Sequence, residues 1–186
     1  MGVIFNEKKD FASNAENLAK GGGRALRAII SKLHNLKKFG FKTFEKLYNS
    51  CVVPVLDYNS SVWGYKDFSG IDNIQNKAIR YFLGVHKFAP KLAIEGDIGW
   101  LPSKERRWLN MISYWNRLLL MDNSRICKRI FQWDYSICSN NWSAEIKTIM
   151  TNIGVMETFH NRKSCDINNA KSALLEQHGL DWLKNV

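Results

Sequence analysis

Apolar residues recur every three or four positions along most of the chain, a spacing that predicts amphipathic helices. The first and longest of these segments runs from Phe11 to Leu33 and contains three consecutive glycines, Gly21–Gly23. Each glycine inside a helix costs up to about 1 kcal/mol relative to alanine, so we expect either a kink or the close approach of another backbone at this point. We predict one bent helix here rather than two.

The same spacing, together with capping residues, prolines and terminal glycines, predicts further helices along the rest of the chain. One helix begins at Thr43 and is interrupted or kinked at Pro54, another begins at Ser69 and ends at Gly84, and a short one runs from Pro90 to Glu95. A long helix begins at Ser103, and shorter ones follow at about Arg125 to Trp133, Ser143 to Asn152 and Asp166 to His178, the last two terminated by Gly154 and Gly179. On the Ser103 helix, Trp108 and Trp115 are interpreted as core residues, with cofactor stacking as the alternative.

The first five residues have a different pattern. Met1–Phe5 is typical of a short β-strand, which is too short to be stable without a partner strand. If that partner is missing, Val3 and Phe5 should be exposed or covered by the C-terminal tail near Trp182. The predicted fold class is therefore mainly α, a multi-helix bundle with a short N-terminal β-strand.

Charge is concentrated in the N-terminal half of this 186-residue chain, whose net charge is +10. Residues 1–91 hold 15 basic and 7 acidic side chains, against 12 and 10 in residues 92–186. At 100° per residue, Lys20, Arg24 and Arg27 share one face of the first helix, opposite its apolar face. A basic surface of this kind favours polyanions such as RNA or DNA.

Amino-acid composition excludes several classes of protein. With 45% hydrophobic residues and only 3 prolines, the chain is a folded protein and not a disordered one. The charged start, with Glu7 and Asp10, does not resemble a signal peptide, and no apolar run approaches the roughly 20 residues that cross a bilayer. The four cysteines form no CxxC pair, so we expect reduced thiols in an intracellular protein, nuclear or cytoplasmic, without a membrane partner.

Catalytic and cofactor motifs are missing from the sequence. Two-metal polymerases and nucleases need converging carboxylates, whereas Asp57, Asp72, Asp97 and Asp134 are isolated and are predicted to cap, turn or lie at the surface. The candidate ligands for a zinc site are Cys138, His160, Cys165 and His178. They lack the short paired spacings that place two zinc ligands on one turn. The backbone amides of Gly21–Gly23 could bind a phosphate, but the Lys-Ser pair that completes a Walker loop does not follow them. We therefore predict no catalytic residue, no metal, no cofactor and no small-molecule substrate.

Several short motifs occur in an order that resembles a known family. They are Gly2-Val-Ile, Gly23-Arg-Ala-Leu26, Phe44-Glu-Lys-Leu-Tyr48, Pro54-Val-Leu-Asp-Tyr58, Val62-Trp-Gly64, Ile74-Gln-Asn-Lys-Ala78, Arg80-Tyr-Phe-Leu-Gly84 and Gly96-Asp-Ile-Gly-Trp-Leu-Pro102. Between Gly2 and Trp133 the chain resembles the region downstream of the catalytic palm in reverse transcriptases of non-LTR (LINE-type) retrotransposons, which are RNA-directed DNA polymerases. Each motif alone is weak, and their order carries the resemblance.

The resemblance implies a division of the chain into four segments. Residues 1–10 would be a residual palm or primer-grip strand, 11–64 a thumb-like helical segment, 65–135 a connecting helical segment and 136–186 a C-terminal helical tail. The family's Tyr-x-Asp-Asp catalytic motif would lie before Met1, so the chain would be a catalytically incomplete fragment of a transposable element's enzyme.

The resemblance and the charge pattern together imply a function in binding the template and primer duplex. Thumb contacts to phosphates do not depend on base sequence and are sensitive to salt. The predicted nucleic-acid-binding residues are Lys20, Arg24, Arg27, Lys32, Lys37, Lys38 and Lys42. Two alternatives remain at this point. The chain could be a structural or protein-interaction module of a domesticated or decaying element, with no nucleic-acid role. It could also be the product of a truncated gene model of a complete polymerase.

Overall fold

A computed structural model describes residues 2–5, 7, 10–35 and 39–185, except for the side chains of residues 181, 182, 184 and 185. Within these residues every regular element is an α-helix, which confirms the mainly α prediction. In chain order the helices are α1 Ala12–His34, α2 Phe41–Cys51, α3 Val53–Leu56, α4 Ser60–Trp63, α5 Ser69–Leu83, α6 Lys91–Ile98, α7 Ser103–Leu120, α8 Ile126–Ile137, α9 Trp142–Asn152, α10 Met156–His160 and α11 Ile167–Asn185.

The predicted N-terminal strand is wrong for the part that the structure describes, since residues 2–5 form no strand. The amide of Ile4 instead donates to Asn14 Oδ1 at 3.1 Å, and the ring of Phe5 lies edge-on to Phe11 with 5.7 Å between centroids. A strand this short needs a neighbouring strand to share its hydrogen bonds, and the described residues contain none. Phe5 is 71% exposed, as expected for an apolar residue without a sheet. Met1 and the Trp182 side chain lie outside the described part.

The chain divides into two compact units. Unit 1 contains Met1–Asn59, Asp67–Ser103 and Trp182–Val186, and unit 2 contains Ser60–Lys66 and Lys104–Asp181. The segment boundaries that the sequence suggested after residues 64 and 135 both fall inside unit 2.

In unit 1, α1 is one continuous helix whose buried face combines large apolar side chains with alanines and glycines. Gly21 and Gly22 are buried there against α3, where a Cβ added to Gly22 would lie 2.2 Å from Leu56 Cδ2. A Cβ on Gly23 would lie 3.3 Å from Ile74 Cδ1 on α5. The three glycines therefore make room for side chains of neighbouring helices and not for the approaching backbone that they predicted.

Aromatic stacking holds the loop after α6 against α2 in unit 1. The indole of Trp100, in the loop after α6, stacks on Tyr48 and Phe44 of α2 with centroid separations of 4.6 and 6.2 Å. Its Nε1 donates to Glu45 Oε1 at 3.0 Å, which satisfies the polar edge of a ring that is only 9% exposed. The loop containing Trp100 is thereby held against α2.

Four predicted helix boundaries are confirmed. Helix α5 begins at Ser69 and is followed by Gly84 with a φ of 66°, the left-handed conformation that glycine adopts at little cost. Helix α7 begins at Ser103, whose hydroxyl donates to Asp72. Helix α9 is followed after one residue by Gly154, which also has a positive φ.

Four predicted boundaries are wrong by more than one residue. Helix α6 continues to Ile98, past the predicted end at Glu95, and α8 continues to Ile137, past the predicted end at Trp133.

Helix α2 begins at Phe41 with Gly40 as its N-cap, so Thr43 lies inside the helix. The ring of Phe41 packs 5.3 Å from that of Phe82, and this tertiary contact extends the helix beyond the local capping signal. Helix α11 continues through Gly179, because that glycine does not adopt the positive φ that would end a helix.

The core of unit 2 is built around Trp115 of α7, which is fully buried. Its ring stacks on Phe159 at 5.1 Å and receives the edge of Phe131 at 5.2 Å. Its Nε1 donates to the carbonyl of Lys163 at 3.2 Å. The prediction that Trp115 is a core residue is confirmed.

A buried lysine caps the C-terminal end of α7. Lys128 on α8 is 8% exposed, and its Nζ donates to the carbonyls of Leu118 and Leu119 at 2.9 and 2.8 Å. The last carbonyls of a helix have no partner within the helix and attract positive charge. One side chain from α8 thus satisfies two of them and joins the two helices.

We expect Gly22→Ala to destabilise the protein although alanine is the better helix former. The new methyl group would overlap Leu56, and overpacking of a buried contact costs about 1–3 kcal/mol. Gly179→Ala is the matched control, since no atom lies within 4 Å of its added Cβ and the change should stabilise by roughly 0.5–1 kcal/mol. Urea denaturation measures both, and a Gly22→Ala protein as stable as the parent would contradict the packing described for α1.

We expect Lys128→Met to lower the free energy of unfolding by about 1–3 kcal/mol, because it leaves two helix-end carbonyls without their buried donor. Lys171→Met, an exposed change on α11, removes the same charge and should shift stability by less than about 0.5 kcal/mol. Equal effects of the two substitutions in thermal or urea melts would show that Lys128 is not a cap.

Candidate nucleic-acid interface

An open groove of about 670 Å³ lies in unit 1 between α1 and the start of α5. Small residues form the contact between the two helices, since a Cβ on Gly70 would lie only 3.4 Å from the Cβ of Ala19. The residues that line the groove are Ala12, Ala15, Glu16, Ala19, Lys20, Gly23, Arg24, Arg27, Asp67, Phe68, Ser69, Gly70 and Ile74.

Three of the seven predicted binding residues, Lys20, Arg24 and Arg27, lie together on this groove. Their placement follows from the rotation of α1 about its axis. Leu18 and Leu26 are each 1% exposed on the packed side of the helix, so residues at the spacing of Lys20, Arg24 and Arg27 face outward. The predicted basic face of α1 is confirmed as an exposed surface.

Arg24 and Arg27 are the unpaired cations of the groove. Both are exposed, and within the described part of the chain neither forms a hydrogen bond or an ion pair. A guanidinium presents several donors in a planar fork that matches two phosphate oxygens. The two side chains are therefore available to a phosphate backbone without first breaking a protein contact.

Lys20 differs from the two arginines because it already has a partner. Its Nζ lies 2.7 Å from Glu16 Oε1, one helical turn away, and the two side chains are 64% and 67% exposed. The hydrogen bond from Lys20 and its positive charge lower the pKa of the Glu16 carboxyl below the ordinary value. Sequence reasoning missed Glu16, although its spacing of four residues before a lysine signals such a pair.

A second acidic residue, Asp67, also lines the groove just before α5. Its position could not be read from the sequence, because it reaches the groove only through the packing of α5 on α1. The groove therefore combines three basic and two acidic side chains, and its positive character depends on Arg24 and Arg27.

The other predicted binding residues lie away from this groove. Lys32 is exposed near the end of α1, about 120° around the helix from Lys20. Lys42 lines a smaller depression of about 370 Å³ on α2 together with Lys46. Lys37 and Lys38 lie outside the described residues. The structure thus does not bring Lys32 and Lys42 together with the basic face of α1.

The alternative chemistries have no assembled site within the described part. No three His, Cys, Asp or Glu side chains there are grouped as metal ligands, so the Cys and His candidates for zinc are not brought together. Gly21–Gly23 lies inside α1, where backbone amides bond within the helix and do not form a phosphate loop. Among the acids discussed above, Asp72 accepts from Ser103, and Asp134 Oδ2 accepts from the Ser143 amide at 2.8 Å.

A small pocket of about 190 Å³ in unit 2 lies between α7, α9 and α11. Glu105 Oε2 and His178 Nε2 are buried in that region without a hydrogen-bond partner among the described residues. One carboxylate and one imidazole are fewer ligands than a structural metal requires.

All four cysteines are unbridged thiols, as the sequence predicted. Burial, with a smaller contribution from the neighbouring Asp166 carboxylate, raises the pKa of the Cys165 thiol. Among the described helices, none is both long and apolar enough to cross a membrane.

Comparison of the chain with protein-family models, curated proteins and solved structures finds no match.

Proposed function

We propose that this chain is a nucleic-acid-binding module that grips the phosphate backbone of a duplex, similar to the thumb and connecting helices of a non-LTR retrotransposon reverse transcriptase. The observation that carries the proposal is the pair of exposed, unpaired arginines, Arg24 and Arg27, one turn apart beside an open groove. The proposed role is to bind RNA, DNA or their hybrid and not to catalyse.

Electrostatics supports this assignment over binding of a small ligand. The segment from Lys20 to Lys46 contains eight basic residues and one acidic residue, so long-range attraction extends well beyond the groove itself. The groove is open and wide, as a surface that contacts a continuous backbone must be. Lys32 and Lys42 would contact phosphates outside the groove, and Lys20 would do so after exchanging Glu16 for a phosphate.

The competing function is a structural or protein-interaction module of a domesticated or decaying element. In that case the basic face of α1 has no nucleic-acid partner. The two functions differ in a measurable way, because binding through phosphates releases counterions and falls steeply with salt.

We expect Arg24→Gln/Arg27→Gln to weaken binding of every duplex sequence by a similar factor. Since each neutralised phosphate contributes about −0.9 to the slope of log K against log salt, the slope should become shallower by up to about 1.8. Fluorescence anisotropy with labelled DNA duplex and RNA–DNA hybrid, at several NaCl concentrations, measures both quantities.

The matched control for this variant is Arg117→Gln/Arg125→Gln, which removes the same charge from exposed positions of unit 2 outside the groove. It should change the affinity much less. If the Arg24/Arg27 variant binds as tightly as the parent at equal salt, the groove is not the interface and the interaction-module function takes its place.

We expect Glu16→Gln to strengthen binding, because it releases Lys20 from its ion pair and removes a negative charge from the groove. The salt slope should steepen by up to about 0.9, the contribution of one further phosphate contact. In a Lys20→Gln background the same change should have a smaller effect. Equal effects of Glu16→Gln in both backgrounds would show that Lys20 takes no part.

A further inference from the structure

Helix α8 carries apolar side chains on the face that it turns to solvent. Four of them follow one stripe along the helix: Ile126 is 70% exposed, Ile130 56%, Trp133 65% and Ile137 48%. The opposite side of α8 is also occupied, since Phe131 is 6% exposed and packs edge-on against Trp115. The stripe is thus not needed for the core of unit 2, and it exposes an apolar surface of the kind that marks interaction sites.

The spacing within the stripe is that of a coiled-coil seam. Its residues are separated by four, three and four positions, so Ile126 and Trp133 take the d positions of a heptad and Ile130 and Ile137 the a positions. Most short amphipathic helices use such a seam to reach their own core, whereas α8 already reaches the core through Phe131 and Lys128.

The charges beside the seam indicate what covers it. Arg129 occupies a g position and Asp134 the following e position, five residues later. In a parallel pair of helices, g of one helix faces the next e of the other, so each Arg129 would face Asp134 of a second copy. Arg129 is exposed and has no ion pair among the described residues. Asp134 uses Oδ2 to accept the Ser143 amide, and a carboxylate has capacity for further donors.

We propose that α8 is the interface of a parallel two-fold dimer, in which the exposed stripe packs against the same stripe of a second copy of this chain. A two-fold axis uses one self-complementary patch twice, which the Arg129 and Asp134 placement satisfies. The stripe is about 17 Å long at 1.5 Å per residue, and a stable interface buries roughly 800 Å² on each partner. A seam of four side chains is short for such an interface, so we expect a weak, reversible dimer.

Sedimentation of the full chain tests the proposal. Between about 1 and 200 µM, with nuclease and a reducing agent present to remove bridging by nucleic acid or disulfides, the chain should shift from monomer to dimer. Trp133→Gln and Ile126→Gln, at different places on the stripe, should each weaken the dimer at least tenfold. Leu120→Gln is the matched control, because Leu120 is 82% exposed but lies on α7 and should leave dimerisation unchanged.

The charge pair gives a second, independent measurement. Arg129→Glu would place like charges opposite each other across the seam, so the dimer should weaken at low salt and recover part of its affinity at high salt. Circular dichroism checks that the helix content of each variant equals that of the parent. A chain that remains monomeric to 200 µM, or a dimer that none of the stripe variants weakens, would overturn the proposal.

Orientation is tested by cross-linking. With the exposed Cys51 and Cys127 changed to Ser, Ile130→Cys should form a disulfide-linked dimer on oxidation, since an a residue faces itself across a parallel seam. Gln132→Cys, exposed on a different side of α8, should not. Efficient cross-linking at 132 and none at 130 would exclude this interface. The result is separate from nucleic-acid binding, because Arg24→Gln/Arg27→Gln should leave the dimer intact.

Discussion

The close approach of α1 and α3 at Gly22 is the constraint on which the candidate interface depends. Leu56 occupies the space where a side chain at Gly22 would be, so α1 can pack only with this face inward. Because residues on a helix are separated by 100°, that contact also determines which side chains face outward. Arg24 and Arg27 are exposed beside the groove as a geometric consequence. The glycines lower the intrinsic stability of α1 as a helix and in return allow the packing that orients its charges.

The charge of the groove results from competition among side chains of the same helix and its neighbour. The groove side of α1 carries three basic residues, but Glu16 engages Lys20 at 2.7 Å while Arg24 and Arg27 have no acidic partner in the described part. An exposed pair of this kind contributes little to stability. The ion pair affects binding, because a phosphate must displace Glu16 before it can bind Lys20. At Arg24 and Arg27 a phosphate has no carboxylate to displace. The two arginines therefore dominate the proposed function.

Unit 2 shows how a helix can serve a core and still present an apolar surface. On α8, Phe131 and Lys128 face inward, and Lys128 secures the end of α7 through two carbonyls. The helix is consequently held in position without its outer stripe. A preformed helix loses little backbone conformational entropy when it associates, which lowers the cost of forming a dimer through a short seam. The proposed dimer and the proposed nucleic-acid groove use different residues and are independent in their tests.

The sequence by itself determined the elements that depend on local signals: the helical periodicity, the start of α5 and α7, the glycine stop at Gly84 and the basic face of α1. It could not determine features that depend on residues far apart in the chain. The Met1–Phe5 strand was predicted from local propensity, yet a strand exists only with a neighbour. The extra turn of α2 follows from Phe41 packing on Phe82, and Asp67 joins the groove through helix packing. Periodicity also shows that α8 is apolar, but only the tertiary structure decides which apolar face is buried, because burial depends on the neighbours that each face meets.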